Sequence, residues 1–281
     1  YHIWVGEDES SYHFNGAFGQ YVVVVPKANA VVALVSGSTK LYAQSTMAEL
    51  INNFTADFHD APLQKDSAAE AELAEELRRL EFSAYTPIEN GTRDYESLHR
   101  IATLLHGSEY AFESNIGGIF PFILQCVHSN MTNGVTMLRF EKVPQGLDVK
   151  IYEGLECNTI SFRTDIVYSE VAMVNEREKV GVRTQWRQDA DDTIVLFAAV
   201  SFIETPNTRL ITFTVGQDKI MIDFDECPGV NSAVSLVCDI SGSSQLEYYR
   251  KLLPALRQER LQKRVREIAL PSAVGEKVRF N

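Results

Sequence analysis

The chain has 281 residues, 45% of them hydrophobic and 23% charged, with a formal net charge of −12. These are the values of a globular protein long enough for two ordinary domains. The negative balance excludes a general nucleic-acid binder, which needs a dense positive face, and no apolar run approaches the roughly 20 residues of a membrane helix.

The chain opens on Tyr1-His2-Ile3-Trp4-Val5, followed within a few residues by Glu7-Asp8-Glu9. This is not the pattern of a secretory leader, and an opening inside an apparent strand without Met is expected of an engineered boundary. Phe18 to Pro26 and Ala30 to Val35 are nearly continuous apolar runs joined by Lys27-Ala28-Asn29, which predicts a hairpin. Apolar at successive positions, both strands are expected to be covered on both faces. Thr46-x-x-Glu49 and Ser67-x-x-Glu70 have the form of capping boxes. Met47, Leu50, Ile51 and Phe54, and then Leu73, Leu77 and Leu80, follow at helical spacing. Residues 81–94, with Pro87, Asn90 and Gly91, read as a linker.

From Glu109 to about Asp225 the period becomes two, as in Ile220, Ile222 and Phe224 against Met221, Asp223 and Asp225. Gly117-Gly118, Asn133-Gly134, Gly146, Gly154 and Gly216 punctuate these runs, which predicts an antiparallel sheet or barrel. Asp189, Asp191 and Asp192 read as a hairpin turn rather than a calcium loop, and Asp223, Asp225 and Glu226 as a solvated strand end. The last stretch is predicted helical, with a third capping box at Ser244-x-x-Glu247 and a break at Pro254. Residues 250–281 carry nine Lys or Arg against three Glu, which reads as solvated helix faces. Cys126, Cys157, Cys227 and Cys238 are scattered and read as reduced, buried thiols. The six histidines show no ligand spacing, so neither a metal nor a cofactor is expected.

Most information lies in Phe14-Asn15-Gly16-Ala17-Phe18-Gly19-Gln20-Tyr21, with Val22 to Pro26 and Val31 to Val35 behind it. A G-x-x-G-Q turn, an apolar strand, Pro, a short turn and a second apolar strand resemble the third active-site strand region of β-lactamase-related serine hydrolases. That family includes class C β-lactamases, penicillin-binding proteins and esterases. Tyr1 to Trp4 resembles the strand just upstream, and the helix after Thr46 resembles the family's last helix. Gly107 to Asn115, Trp186, Thr205-Pro206 and Arg209-Leu210 are similar to parts of a β-rich appendage that some members carry. In that family the serine of an S-x-x-K attacks a carbonyl carbon, and a second motif shuttles protons. This chain contains no S-x-x-K, Y-x-N or S-x-N. In the third motif, the position two before Gly16 is Phe14 rather than Lys or His, with His13 one residue early.

The resemblance therefore implies the C-terminal part of such a hydrolase, lacking the nucleophile and inactive by itself. It implies that the Ala17 N–H is an oxyanion-hole donor and that Asn15 and Gly16 contact substrate. The expected fold is α+β. A hydrolase remnant over 1–60 is followed by a helix and linker over 61–94, a lipocalin-like or barrel-like antiparallel domain over 95–230, and a helical tail over 231–281. The barrel would shape or cover the parent's active site. Two alternatives stand beside this: a non-enzymatic, lipocalin-like module that binds a ligand or partner, and a domain that serves packing alone. Polar residues facing a cavity would favour binding, and a closed apolar core would favour structure. The expected partners are the upstream catalytic domain and a second copy of the chain, and the expected compartment is the cytoplasm.

Overall fold

The chain divides into two units, Tyr1–Thr86 and Pro87–Asn281, in a computed structural model that describes residues 3–5, 11–38, 44–56, 58, 64–83, 89–113, 117–229, 263 and 270–279. The fold is α+β.

In the first unit, β1 (Trp4–Val5), β2 (Tyr12–Gly16), β3 (Gln20–Val25) and β4 (Ala30–Leu34) form an antiparallel sheet in sequence order. The predicted hairpin is present. A single 3-10 turn over Pro26–Ala28 joins β3 to β4 and ends at Asn29, whose left-handed φ of 47° lets its N–H reach the Pro26 carbonyl at 3.0 Å. The register Tyr21↔Leu34 and Val23↔Val32 places one set of side chains on a common face. Tyr21 and Val23 are buried there against Ile51 of α1 (Gln44–Ala56), with Val25, Val32 and Leu34 packed around them. Cover on both faces was expected, but among the described residues only this face has it. On the other face Val5, Tyr12, Phe14, Val22 and Val31 stay exposed.

The helix expected from Thr46 begins at Gln44. The helix expected from Ser67 is α2 (Ser67–Ser83), but its cap is Asp66, whose Oδ1 accepts from the Ala68 and Ala69 N–H groups at 3.0 and 3.1 Å. Its stripe of Leu73, Leu77 and Leu80 is exposed.

The second unit begins with a helix, within the bounds expected for the antiparallel domain, that the sequence reading did not assign. This is α3 (Tyr95–Leu105), capped by Asp94 through the Ser97 N–H at 2.7 Å. Leu98, Ile101, Ala102 and Leu105 are its buried face. The strands then follow: β5 (Glu109–Ala111), β6 (Val135–Val143), β7 (Gly146–Glu153), β8 (Glu156–Phe162), β9 (Val167–Met173), β10 (Glu176–Gln188), β11 (Ile194–Phe202), β12 (Thr208–Val215) and β13 (Lys219–Cys227). A short helix, α4 (Phe122–Val127), lies between β5 and β6.

The last strand is β14 (Ser272–Lys277), which pairs antiparallel with both β13 and β5. This corrects the helical tail at its end. Ser272 to Lys277 supplies the strand that links the two halves of the sheet; Val274 favours extended backbone, and Gly275 leaves room for the Phe112 ring, which a Cβ would meet at 2.7 Å. Residues 231–262, including Ser244, Glu247 and Pro254, lie outside the described residues.

The ten strands run β8-β7-β6-β5-β14-β13-β12-β11-β10-β9, a nearly closed barrel-like sheet. Asn158 of β8 bridges the seam: its Nδ2 donates to the Ala172 carbonyl of β9 at 2.8 Å, and its Oδ1 accepts from the Ala172 N–H at 2.7 Å. Inward positions alternate along strands such as β7 and β13, while β11 is buried at nearly every position. Leu147, Val149 and Ile151 on β7, Ile211 and Phe213 on β12, and Trp186 on β10 are buried in one continuous apolar core. The interior is therefore filled by side chains rather than hollow. The turn expected at Asp189 to Asp192 joins β10 to β11, with Asp189 donating its N–H to Thr193 at 2.8 Å and Asp192 at φ 63°. The thiols expected to be buried include two exposed ones, Cys126 and Cys157, while Cys227 is half-buried and Cys238 lies outside the described residues. Among the described residues, no helix is long and apolar enough to cross a membrane.

Candidate functional site

The three residues singled out by sequence lie together at the β2–β3 turn. Asn15 pairs with Tyr21 and Gly16 pairs with Gln20 across the two strands, and Ala17 is the first residue of the turn between them. The turn is unusual for its residue types. Phe18 stands at φ 62° and Gly19 at φ 85°, and a left-handed φ is strained for a bulky aromatic. Three contacts hold it there. The Phe18 ring is buried, its carbonyl accepts from the Ser38 N–H at 2.9 Å, and the Gln20 amide donates to the Ser36 carbonyl. Gly19 is favoured by its φ, and a Cβ on it would crowd the Ser36 side chain at 3.1 Å. Asn15 Oδ1 is buried without a hydrogen-bond partner. Burial raises the Tyr21 hydroxyl pKa, and a side-chain hydrogen bond from Asn15 opposes that.

A second polar constellation was not anticipated. At the end of the barrel nearest α4, Glu153, Arg209 and Glu226 occupy inward positions and are all buried. Glu226 was expected to be solvated. Instead its Oε2 accepts from Arg209 Nη1 at 2.9 Å and from the Phe122 N–H at 2.7 Å. Arg209 Nε donates to the Gly118 carbonyl at 3.0 Å, and its guanidinium lies 4.7 Å from the centre of the Phe224 ring. Glu153 Oε1 accepts from the Ile119 N–H at 3.0 Å, and its Oε2 accepts from Asn158 Nδ2 at 3.1 Å.

Gly117 and Gly118, read from sequence as punctuation, are close-approach positions. A Cβ on Gly118 would fall 1.9 Å from Glu153 Oε1, and one on Gly117 would fall 2.9 Å from Arg209 Nη2. Burial pushes the Glu153 carboxyl up to about 7 against the pull of its hydrogen bonds and of Arg209. Burial also raises Glu226, which Arg209 opposes. It lowers Arg209, which Glu226 and Glu153 oppose. The signal for these residues was phase. Glu153 continues the row of Val149 and Ile151, Arg209 the row of Ile211 and Phe213, and Glu226 the row of Ile222 and Phe224.

His128, Glu176 and Glu178 place one ligand atom each within 4.8 Å of one another. Because His128 Nδ1 already lies 3.5 Å from Glu176 Oε2, the group is accounted for as a clasp between the end of α4 and the start of β10. It stands beside the Asn130 amide, which donates to the Val174 carbonyl at 2.6 Å. No family model matches the chain, and neither a curated protein nor a solved structure does.

Proposed function

We propose that this chain is the C-terminal part of a serine hydrolase of the β-lactamase and penicillin-binding-protein kind, with the nucleophile upstream of Tyr1. The observation that carries the reading is the first sheet. Its strands are apolar on both faces, yet among the described residues only the face of Tyr21 and Val23 is covered, while Tyr12, Phe14, Val22 and Val31 are exposed. A layer of this kind is built to be sandwiched. The strained, glycine-flanked turn at its end supports the same reading, because backbone strain that several contacts hold in place is characteristic of reactive sites. In this role the Ala17 N–H donates to the oxygen of the attacked carbonyl, stabilising the charge that develops there, and Asn15 and Gly16 face the acyl group.

The barrel serves as an accessory domain that shapes or covers the parent's site. Its filled apolar interior favours this structural role over the binding of a ligand inside it.

The test treats this chain, alone and co-produced with the polypeptide encoded immediately upstream, with a fluorophosphonate probe and a nitrophenyl ester. The chain alone is expected to take no label. The pair is expected to label at one serine of an upstream S-x-x-K, and Ala17→Pro, which deletes the N–H, is expected to lower kcat about 100- to 1,000-fold. Stoichiometric labelling of a serine within this chain, or an upstream sequence without S-x-x-K, would overturn the reading.

A further inference from the structure

We propose that Gly117–Asn130 is a plug held in one end of the barrel by three buried ionisable side chains, and that this latch loosens as pH rises from the acid range to neutrality. The inference concerns the second unit alone and does not depend on the hydrolase reading.

The geometry comes first. Three backbone groups within five residues of the segment are each held by a different charged or titratable side chain. These are the Gly118 carbonyl by Arg209, the Ile119 N–H by Glu153 and the Phe122 N–H by Glu226. The three holders come from β12, β7 and β13. Behind these bonds the segment contributes Ile119, Phe120 and Leu124 to the apolar core, so it closes the barrel end as a plug rather than lying over it as a loop. Gln125 stiffens it, donating to the Phe120 carbonyl at 2.8 Å and accepting from the Thr132 N–H at 2.9 Å. Its far end is clasped separately by His128 to Glu176 and by Asn130 to the Val174 carbonyl.

The charge balance then sets the direction. The groups facing Glu153 are Arg209 from β12, the Asn158 amide from β8, the Thr132 hydroxyl and the Ile119 N–H. Those acting on Glu226 are Arg209, the Phe122 N–H and the neighbouring Asp225. One guanidinium thus serves two buried carboxylates. With Glu153 protonated, the Arg209–Glu226 pair is neutral. With Glu153 ionised, the buried cluster carries one uncompensated negative charge, which favours any opening that admits water.

Glu153 titrates near 7 when the plug is seated and near the ordinary 4.5 once water reaches it. The raised value belongs to the closed state. Closure is therefore most favoured below about 4.5 and is progressively disfavoured as pH rises to about 7. The opening constant is expected to increase on the order of 100-fold or more across that span.

Hydrogen exchange of the whole chain, resolved by residue and corrected for intrinsic rates, reads this directly. The Ile119 and Phe122 amides are expected to lose protection about 100-fold between pH 5 and 8 and to stay less protected than Ile101 and Ala102 of α3 at every pH, because the plug opens without global unfolding. In Glu153→Gln, which retains an acceptor without a charge, the loss is expected to disappear. The carboxyl carbon of Glu153 in the unaltered protein is a second measurement, independent of whether the variant folds, and should titrate near 7. Titration below pH 5, unchanged protection at Ile119 and Phe122, an equal loss in Glu153→Gln, or protection at Ile119 and Phe122 equal to that in α3 at every pH would each overturn the latch.

Discussion

The bare face of the first sheet makes a quantitative demand on the isolated chain. Val5 and Val31 are 64% and 65% exposed, and Tyr12, Phe14 and Val22 are 38%, 41% and 38% exposed. Adjacent strands align them, since Val5 faces Tyr12, Tyr12 faces Val24, Val24 faces Val31, and Phe14 faces Val22. The five side chains together leave roughly 400 Å² of apolar surface in water, worth on the order of 10 kcal/mol at about 25 cal/mol per Å². That is comparable to the stability of a whole domain. On this sheet β4 is also an edge strand whose five residues, Ala-Val-Val-Ala-Leu, include neither a charge nor a proline to discourage pairing. The isolated chain is therefore expected to self-associate through this face. Sedimentation velocity over a concentration series should show mass rising with concentration. Val31→Lys removes about 100 Å² of that surface and places a charge beside the edge, so it should weaken association roughly 50-fold. Phe14→Glu should act in the same direction. A monomer at millimolar concentration whose 18–35 amides remain protected would refute the reasoning, because it would show a folded sheet that tolerates its bare face.

Three further outcomes follow from the second unit. Arg209→Met strands Glu226 and Glu153 in the core and should cost about 3–5 kcal/mol in urea unfolding, with part of the loss recovered when Glu226→Gln is added. Global stability should rise as pH is lowered from 8 to 5. A carboxyl raised from 4.5 to about 7 on folding penalises the native state by about 3 kcal/mol above its folded value and by almost nothing below 4.5, and Glu153→Gln should flatten this slope in denaturation at each pH. Asp94→Ala removes the acceptor for the Ser97 N–H and should cost about 1 kcal/mol, read as a lowered urea midpoint with unchanged slope.

Sequence periodicity read the sheet better than it read the helices. The change to period two at Glu109 coincides with the first residue of β5, and the hairpin on either side of Lys27-Ala28-Asn29 is present, because alternation and turn chemistry are local. Helix α3 was missed although Leu98, Ile101, Ala102 and Leu105 carry a helical stripe with Asp94 before it. The stripe follows directly on a stretch whose Pro, Asn and Gly marked it as a linker. Strand β14 was hidden for a different reason. It pairs with β5, more than 160 residues earlier in the chain, and no local pattern records such a partner. The candidate turn was legible as a string, with Asn15, Gly16 and Ala17 adjacent in space because they are adjacent in sequence. The Glu153–Arg209–Glu226 cluster was legible only by phase. Each residue falls on the inward beat of its strand, but that three such beats meet at one end of the barrel depends on registers that alternation does not fix.

The seam between β8 and β9 bears on what this sheet could become outside its native arrangement. A ten-stranded sheet that fails to close leaves two rows of unpaired backbone groups, the template on which cross-β polymers grow. Here one amide side chain performs the office of a missing strand residue. Asn158 offers Ala172 both a donor and an acceptor, as a backbone peptide would. The same nitrogen reaches Glu153. The amide that pairs with the backbone at the seam thus also bonds the carboxylate beneath the plug, so one side chain is shared between the edge of the sheet and the end of the barrel.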